Sequence, residues 1–349
     1  MKIRRKTCNF KIGDVGIGSD YPITIQTMLN IKTSDEQKCI SVSNKMYELG
    51  CDFVRVAVPL LSDVEHFANI QKKVPHPLIA DVHYSYKIAF DVIKAGAKKI
   101  RINPGNMTDY SNIKQLSKML LDYDTAVRIG VNCGSIHPDY QKLPIVDALV
   151  NSAVDCAKVF ESYGVKKIVL GIKSSDALET IEANRKLASL CNYPLHIGVT
   201  EAGTLRNGLI KSSYAIGTLL SDGIGDTIRV SLTEDLEHEI YAGKQILKML
   251  HLDDDRVEVV SCPTCSRTEI DVKALANKVE ELLSGTRKNL RISVLGCPLN
   301  GIGEAKNSDY GIAGGKEKSV ILINGKQHSI VDNKDLLEKF LEIVSGEIK

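Results

Sequence analysis

Over its first 250 or so residues the chain repeats one pattern eight times: a short apolar segment, a polar turn, then a stretch of helical period. The apolar segments are Ile23–Met28, Phe53–Val58, Leu78–His83, Lys99–Asn103, Val127–Asn132, Lys167–Lys173, Leu195–Glu201 and Thr227–Leu232. Helical patterns such as Asp35–Leu49, Ile145–Ser162 and Glu234–Leu250 lie between them. Strands that alternate with helices pair in parallel, and eight such units predict a closed (β/α)8 TIM barrel. An open doubly wound sheet is the rival architecture. Even spacing fits it less well, and no glycine-rich dinucleotide fingerprint follows the first strand.

The expected strand ends are unusually polar. They carry Arg55, Asp81 and His83, Arg101 and Asn103, Arg128 and Asn132, Lys173, Glu201, then Arg229 and Ser231. Barrel enzymes build their sites at the C-terminal ends of the strands, where loops and helix N-termini converge. Arginine, lysine, asparagine and serine gathered there describe an anion pocket suited to a phosphate or diphosphate. The plainer reading of any one of them is an ion pair inside the barrel, an arginine bonded to Asp81 or Glu201.

At 349 residues the chain exceeds one small core, and its texture changes after Leu250. The polar link His251–Arg256 separates an expected barrel over 1–252 from a small α/β domain over 257–349. In that domain we expect strands at Val257–Ser261, Leu290–Leu295, Ser319–Ile323 and His328–Val331, with helices at Glu269–Leu283 and Asn333–Val344. Cys262-Pro-Thr-Cys265 follows the first of these strands and Cys297 the second. A C-x-x-C turn brings two thiolates to one metal, and a distant third cysteine closes the site. Glu304 offers a weak oxygen ligand, and Gly296, Gly301 and Gly303 would let the backbone wrap tightly. Three sulfurs and one oxygen suit an iron–sulfur cluster with an exchangeable iron. Zinc or no metal also stays open, and a Cys3His site with His328 is possible though no spacing supports it.

A net charge of +2 gives no reason to expect nucleic acid or an anionic membrane as partner. No apolar run reaches the roughly 18 residues of a membrane span, and the basic start is not followed by the apolar stretch of a signal peptide. The nine cysteines lack disulfide patterning, which predicts a reducing, cytoplasmic setting.

Nine segments in order carry a resemblance across the whole chain. They are Pro22–Met28, Val54-Arg-Val56, Ala80-Asp-Val-His83, Arg101–Asn106, Arg128–Asn132, Gly198–Gly203, Gly223–Leu232, Ser261–Cys265, and Gly296-Cys297 with Asn300-Gly301 and Gly303-Glu-Ala305. Together they resemble the bacterial 4-hydroxy-3-methylbut-2-enyl diphosphate synthase family of the short type. The resemblance implies a TIM barrel followed by a [4Fe–4S] domain, with Cys262, Cys265, Cys297 and Glu304 as ligands. It implies reductive ring opening and dehydration of 2-C-methyl-D-erythritol 2,4-cyclodiphosphate, with electrons from flavodoxin or ferredoxin. Arg55, Arg101, Arg128, Asn132, Lys173 and Ser231 match its substrate-binding positions, and Glu201 is a candidate general acid if burial raises its pKa. It also implies a homodimer in which each cluster domain serves the partner's barrel. Pro298-Leu299, Ile302 and Thr204 depart from the usual residues without removing a ligand, and Cys133 reads as a bystander.

Two other functions fit parts of the pattern. Lys173 ends the sixth strand, where a Schiff-base lysine can sit, which would make an aldolase-like enzyme with a structural zinc domain. A non-catalytic iron–sulfur carrier or redox sensor on an inactive barrel is the other.

Overall fold

The computed structural model describes residues 2–108, 110–253, 257–283, 286 and 288–348. The chain splits into two compact units, residues 1–252 and 253–349. Part of the polar link, residues 254–256, lies outside the described residues.

The first unit opens with a hairpin, β1 (Phe10–Ile12) and β2 (Val15–Ile17). Ile12 pairs with Val15, leaving Gly13-Asp14 as a two-residue turn with Gly13 at φ +58°. Eight βα units follow. Their strands are β3 (Thr24–Met28), β4 (Phe53–Ala57), β5 (Leu78–Asp81), β6 (Lys99–Ile102), β7 (Ala126–Asn132), β8 (Ile168–Lys173), β9 (His196–Ile197) and β10 (Thr227–Ile228). Each is followed by a helix: α1 (Glu36–Glu48), α2 (Asp63–Gln71), α3 (Tyr86–Lys94), α4 (Ile113–Asp122), α5 (Ile145–Ser162), α6 (Ala177–Leu190), α7 (Leu205–Ser221) and α8 (Leu236–Met249). Side chains cap several N-termini. Asp35 accepts from the Lys38 amide, and Asp176 from that of Glu179.

The strands pair in parallel from β3 round to β8, and β10 joins β3 to β9. A bridge between Leu170 and Leu195 brings β9 to β8 and closes the barrel. The last two strands are shorter than the apolar pattern predicts. After Ile197 the chains approach so closely that a methyl group on Gly198 would lie 2.3 Å from the Arg229 carbonyl oxygen, and Glu201 turns into left-handed backbone at φ +51°. A regular ladder cannot continue through that geometry.

Outward-facing residues of the strands form one large core with the helices, Val54, Val56, Ile100 and Ile129 among them. The N-terminal end of the barrel is plugged by the hairpin. Ile12 and Ile17 pack with Phe53, Ile79, Ala126 and Val169, which come from four strands. Burying each hairpin isoleucine contributes about 1.5–3 kcal/mol. The plug leaves the C-terminal ends of the strands as the side where a ligand can enter.

The second unit is a five-stranded sheet in the order β11 (Val257–Ser261), β12 (Leu290–Leu295), β13 (Tyr310–Ala313), β14 (Lys318–Ile323), β15 (Lys326–Asp332). The first three strands run parallel and the last two antiparallel. Helices α9 (Val272–Leu283), α10 (Pro298–Glu304) and α11 (Leu336–Ile348) complete it. Val279, Ile292, Ile312, Phe340 and Val344 make its own core. The strand β13 and the helix α10 are additions to the expected pattern. The glycines of 296–303 do not form an open wrapping loop. Gly301 lies in α10, where an added methyl would sit 2.5 Å from the Ala313 Cβ, so glycine lets the helix press onto β13.

Candidate functional site

Inside the barrel, alternate residues along each strand point inward. Those positions bear Arg55 on β4, Asp81 on β5, Lys99 and Arg101 on β6, Arg128 on β7 and Lys173 on β8, all buried. Asp81 is the hub. Its carboxylate accepts from Arg101 Nη1 at 3.2 Å and lies 3.4 Å from both Arg55 Nε and His83 Nε2. The barrel ion pair admitted by the sequence therefore forms through Asp81. Arg55 also donates to Met28 Sδ, and Arg101 Nη2 to the Gly130 carbonyl. Arg229 reaches Glu239 of α8 at 3.4 Å. The same carboxylate accepts from the Thr27 hydroxyl at 2.7 Å and from the Leu232 amide at 3.0 Å, fixing the segment that carries Ser231.

Among the described residues, five buried cations and the half-buried Arg229 are thus set against two carboxylates, Asp81 and Glu239, and only Arg55, Arg101 and Arg229 lie within ion-pair distance of them. Among the described residues, Lys99 Nζ, Arg101 Nε, and Arg128 Nε and Nη1 are buried without a hydrogen-bond partner. Burial, reinforced by repulsion from Arg128 and Arg55, holds the Lys99 ammonium well below its ordinary pKa. Burial and repulsion from Arg128, Arg229 and Arg55 do the same to Lys173. Burial lowers Arg55 to about 10, with Asp81 opposing. Burial pushes the Asp81 carboxyl up, yet Arg55, Arg101, His83 and Arg128 together outweigh it and hold it at about 2. Buried like charges and unmet donors are costly, and a multiply charged anion would relieve both.

Of the other expected residues, Asn132 pairs in register with Lys173 and is half-buried, as is Ser231. Glu201 lies beyond β9 and is exposed. Lys99, His196, Gln26 and Glu239 are inside or braced against the site without having been singled out from sequence. For Lys99 the signal exists, because it shares an inward face with Arg101 at a spacing of two.

In the second unit, Cys262 and Cys297 stand just beyond β11 and β12, neighbouring parallel strands whose Ser261 and Val294 are in register. Thr264, between Cys262 and Cys265, takes left-handed backbone at φ +60°. The Cys265 amide donates to Thr268 Oγ1 at 3.0 Å, and the Gly296 amide to Cys262 Sγ at 3.3 Å. Cys262, Cys265, Cys297 and Glu304 line one cavity of about 480 Å³. Among the described residues no three Cys, His, Asp or Glu side chains converge to hold a single ion. The three thiols line that one cavity, and an amide donating to sulfur is the usual partner of a cluster thiolate. His328 lies on β15, at the opposite edge of the sheet from β11, which removes it as the fourth ligand of a zinc site. The donor set fits an iron–sulfur cluster better than zinc.

Residues 7–244 match the GcpE TIM-barrel domain, and residues 258–346 match the GcpE protein C-terminal domain. The chain belongs to the GcpE family. It is 45% identical over 352 residues to 4-hydroxy-3-methylbut-2-en-1-yl diphosphate synthase (flavodoxin) of Caldanaerobacter subterraneus subsp. tengcongensis, covering 100% of this chain and 99% of that protein. Identity to the synthase of the same name from Clostridium tetani is 45%, over 98% and 99% of the two chains. Among solved structures, dihydropteroate synthase of Yersinia pestis aligns with a TM-score of 0.51 at 12% identity, over 70% of this chain and 98% of that one. That likeness is one of barrel fold alone. Among the described residues, no helix is long and apolar enough to cross a membrane.

Proposed function

We propose that this chain is an iron–sulfur oxidoreductase of the non-mevalonate isoprenoid route. It converts 2-C-methyl-D-erythritol 2,4-cyclodiphosphate to 4-hydroxy-3-methylbut-2-enyl diphosphate by reductive ring opening and loss of water. The observation that carries this reading is the excess of buried cations over carboxylates inside the barrel, in a chain that aligns end to end with synthases of that name. The Schiff-base alternative has no comparable support from the family.

The residues divide the work. Arg55, Arg101, Arg128 and Lys173 bind the diphosphate, with Asn132 and Ser231 as neutral hydrogen-bonding partners. Asp81 orients Arg55 and Arg101 and, held ionised, is unfit to donate a proton. Glu201, on a left-handed residue beyond β9, gives a proton to the departing oxygen. Its side chain is exposed, within reach of a ligand entering at the strand ends. Cys262, Cys265, Cys297 and Glu304 hold a [4Fe–4S] cluster, the carboxylate being the hard and exchangeable ligand. When bound, such a cluster supplies electrons and a Lewis-acidic iron to the carbon–oxygen bond being reduced.

A flavodoxin or ferredoxin delivers the electrons in this reading, and the active assembly is a homodimer. The parenthetical name of the relatives supports flavodoxin. A cytoplasmic setting is supported by the cysteines, among which no disulfide forms in the described residues. The test is iron, acid-labile sulfide and zinc per chain in anaerobically purified protein, followed by turnover of the cyclodiphosphate with a chemical reductant. About four irons and four sulfides with turnover are expected. Stoichiometric zinc without sulfide, and no turnover after anaerobic reconstitution, would overturn the proposal.

A further inference from the structure

Three glycines line the inner wall of the barrel. Gly130 on β7 is in register with Gly171 on β8, and Gly198 directly follows β9. Gly130 and Gly171 lie outside the positive-φ residues, so their backbone does not call for glycine. Within a strand glycine gives up packing and rigidity, and close approach of another group is the usual compensation.

A cation approaches each of them, although at Gly171 and Gly198 a backbone carbonyl oxygen lies nearer still. A methyl group built on Gly130 would lie 2.8 Å from Arg101 Nε, and 3.1 and 3.4 Å from Arg128 Nη2 and Nε. On Gly171 it would lie 3.4 Å from Arg128 Nε and 3.1 Å from the His196 carbonyl oxygen. On Gly198 it would meet Lys173 Nζ at 2.9 Å, besides the Arg229 carbonyl oxygen. Three adjacent strands thus present bare backbone to the heads of three buried cations. The Gly130 carbonyl adds a hydrogen bond, accepting from Arg101 Nη2 at 3.1 Å.

We propose that Gly130, Gly171 and Gly198 are positioning residues that set how deeply Arg101, Arg128 and Lys173 rest in the barrel, and so how deeply a diphosphate seats. The inference rests on the diphosphate reading above. A side chain at Gly130 crowds Arg101 and one at Gly198 crowds Lys173, displacing the cation into the space the anion takes, whereas at Gly171 Arg128 Nε stays at ordinary contact distance. Misplacement by about 1 Å can cost up to roughly a hundredfold in a preorganised site. Gly198 also meets backbone, so its replacement tests the fold as much as the pocket. Gly130 is the cleaner position, because every near atom there belongs to a side chain.

The experiment compares wild type and Gly130→Ala as full-length, anaerobically reconstituted protein. It reads calorimetric affinity for inorganic diphosphate, KM and kcat for the cyclodiphosphate, and the thermal midpoint. Diphosphate affinity should fall, and KM rise, by roughly tenfold or more, with kcat within about threefold and the midpoint within a few degrees. Gly217→Ala on α7, where an added methyl has nothing within 4 Å, should behave as wild type. Unchanged affinity and KM in Gly130→Ala would overturn the proposal. So would a fall in kcat and midpoint with KM untouched, which marks a purely structural glycine. Should Gly130→Ala fail to fold, Gly171→Ala is read instead: Arg128 Nε stays at ordinary contact distance there, so a smaller loss of diphosphate affinity is expected, and no loss would overturn the proposal. A wild type that binds diphosphate yet turns over no cyclodiphosphate removes the reaction, and the affinity change still judges the glycines. A wild type that binds no diphosphate overturns both.

Discussion

Arg101 donates to Asp81 at 3.2 Å, with 5% and 1% of the two side chains exposed. Arg55 approaches the other carboxylate oxygen, so one acid holds two guanidiniums in place. Removing a single partner from such a buried set strands the other charges. Asp81→Asn should therefore lose roughly 3–5 kcal/mol of stability at neutral pH, read by urea denaturation. The folded pKa of about 2 lies below the unfolded value of about 3.9, so this contribution is whole above about pH 4 and fades as pH falls toward 2. The gap between wild type and variant should be constant from pH 7 to 5 and narrow below 4. An asparagine variant as stable as wild type at pH 7 would refute the hub role.

Lys173 is buried among Arg128, Arg229 and Arg55, which together with burial depress its pKa. An anion bound beside it reverses the sign of the local field and raises that pKa again. Diphosphate binding should then take up protons, and affinity should weaken as pH rises. Calorimetry of inorganic diphosphate in two buffers of different ionisation enthalpy, corrected for the probe's own ionisation, measures the uptake. Lys99 and His196 share the depressed direction, so Lys173→Met is needed to assign it. Uptake that persists undiminished in Lys173→Met would move the effect to one of those two.

The barrel is legible in the sequence because its period is carried by many residues at once. Eight apolar segments separated by helical stretches leave few alternatives. The same alternation puts Arg55, Asp81, Arg101 and Arg128 on inward faces. Short elements are harder. Each strand of the hairpin has three residues, and only the Gly13-Asp14 turn marks it. In β13, Gly311 interrupts the β-rich run, for a reason visible only in space: an added methyl would meet Ser293 Oγ and the Ala305 Cβ.

Roles that depend on distant contacts are not legible either. Glu239 sits on an outer helix, and its bonds to Thr27, Arg229 and the Leu232 amide join segments far apart in the chain. The exposure of Glu201 follows from left-handed backbone after β9, which a glutamate in a Gly-Val-Thr-Glu run does not announce. For the thiols, spacing leaves zinc and iron–sulfur open. The sheet order, with His328 at the far edge, removes that histidine as a ligand, which spacing could not do.

Cys297 stands at the N-terminal boundary of α10, with its carbonyl accepting from the Gly301 amide. Cys297→Ser should preserve that backbone while removing one soft ligand. Iron and sulfide per chain should fall to a small fraction of wild type, and turnover should vanish with them. The barrel has its own core, so diphosphate affinity and far-ultraviolet circular dichroism should hold. Full iron content in the variant would exclude Cys297 as a ligand.

Glu304 closes α10 on the rim of the thiol cavity and is exposed. A carboxylate is a hard donor, weaker toward iron in a sulfide cluster than the three thiolates, and a substrate oxygen can displace it. Its removal should therefore cost stability of the site rather than its existence. Glu304→Ala, reconstituted anaerobically, should retain most of its iron and sulfide. On exposure to air its visible absorption should bleach severalfold faster than wild type, because one iron is left open to oxygen. Added thiolate or cyanide should slow the bleaching by taking the open position. Identical bleaching rates in variant and wild type would mean the carboxylate is not a ligand, and the fourth position would have to be filled from elsewhere.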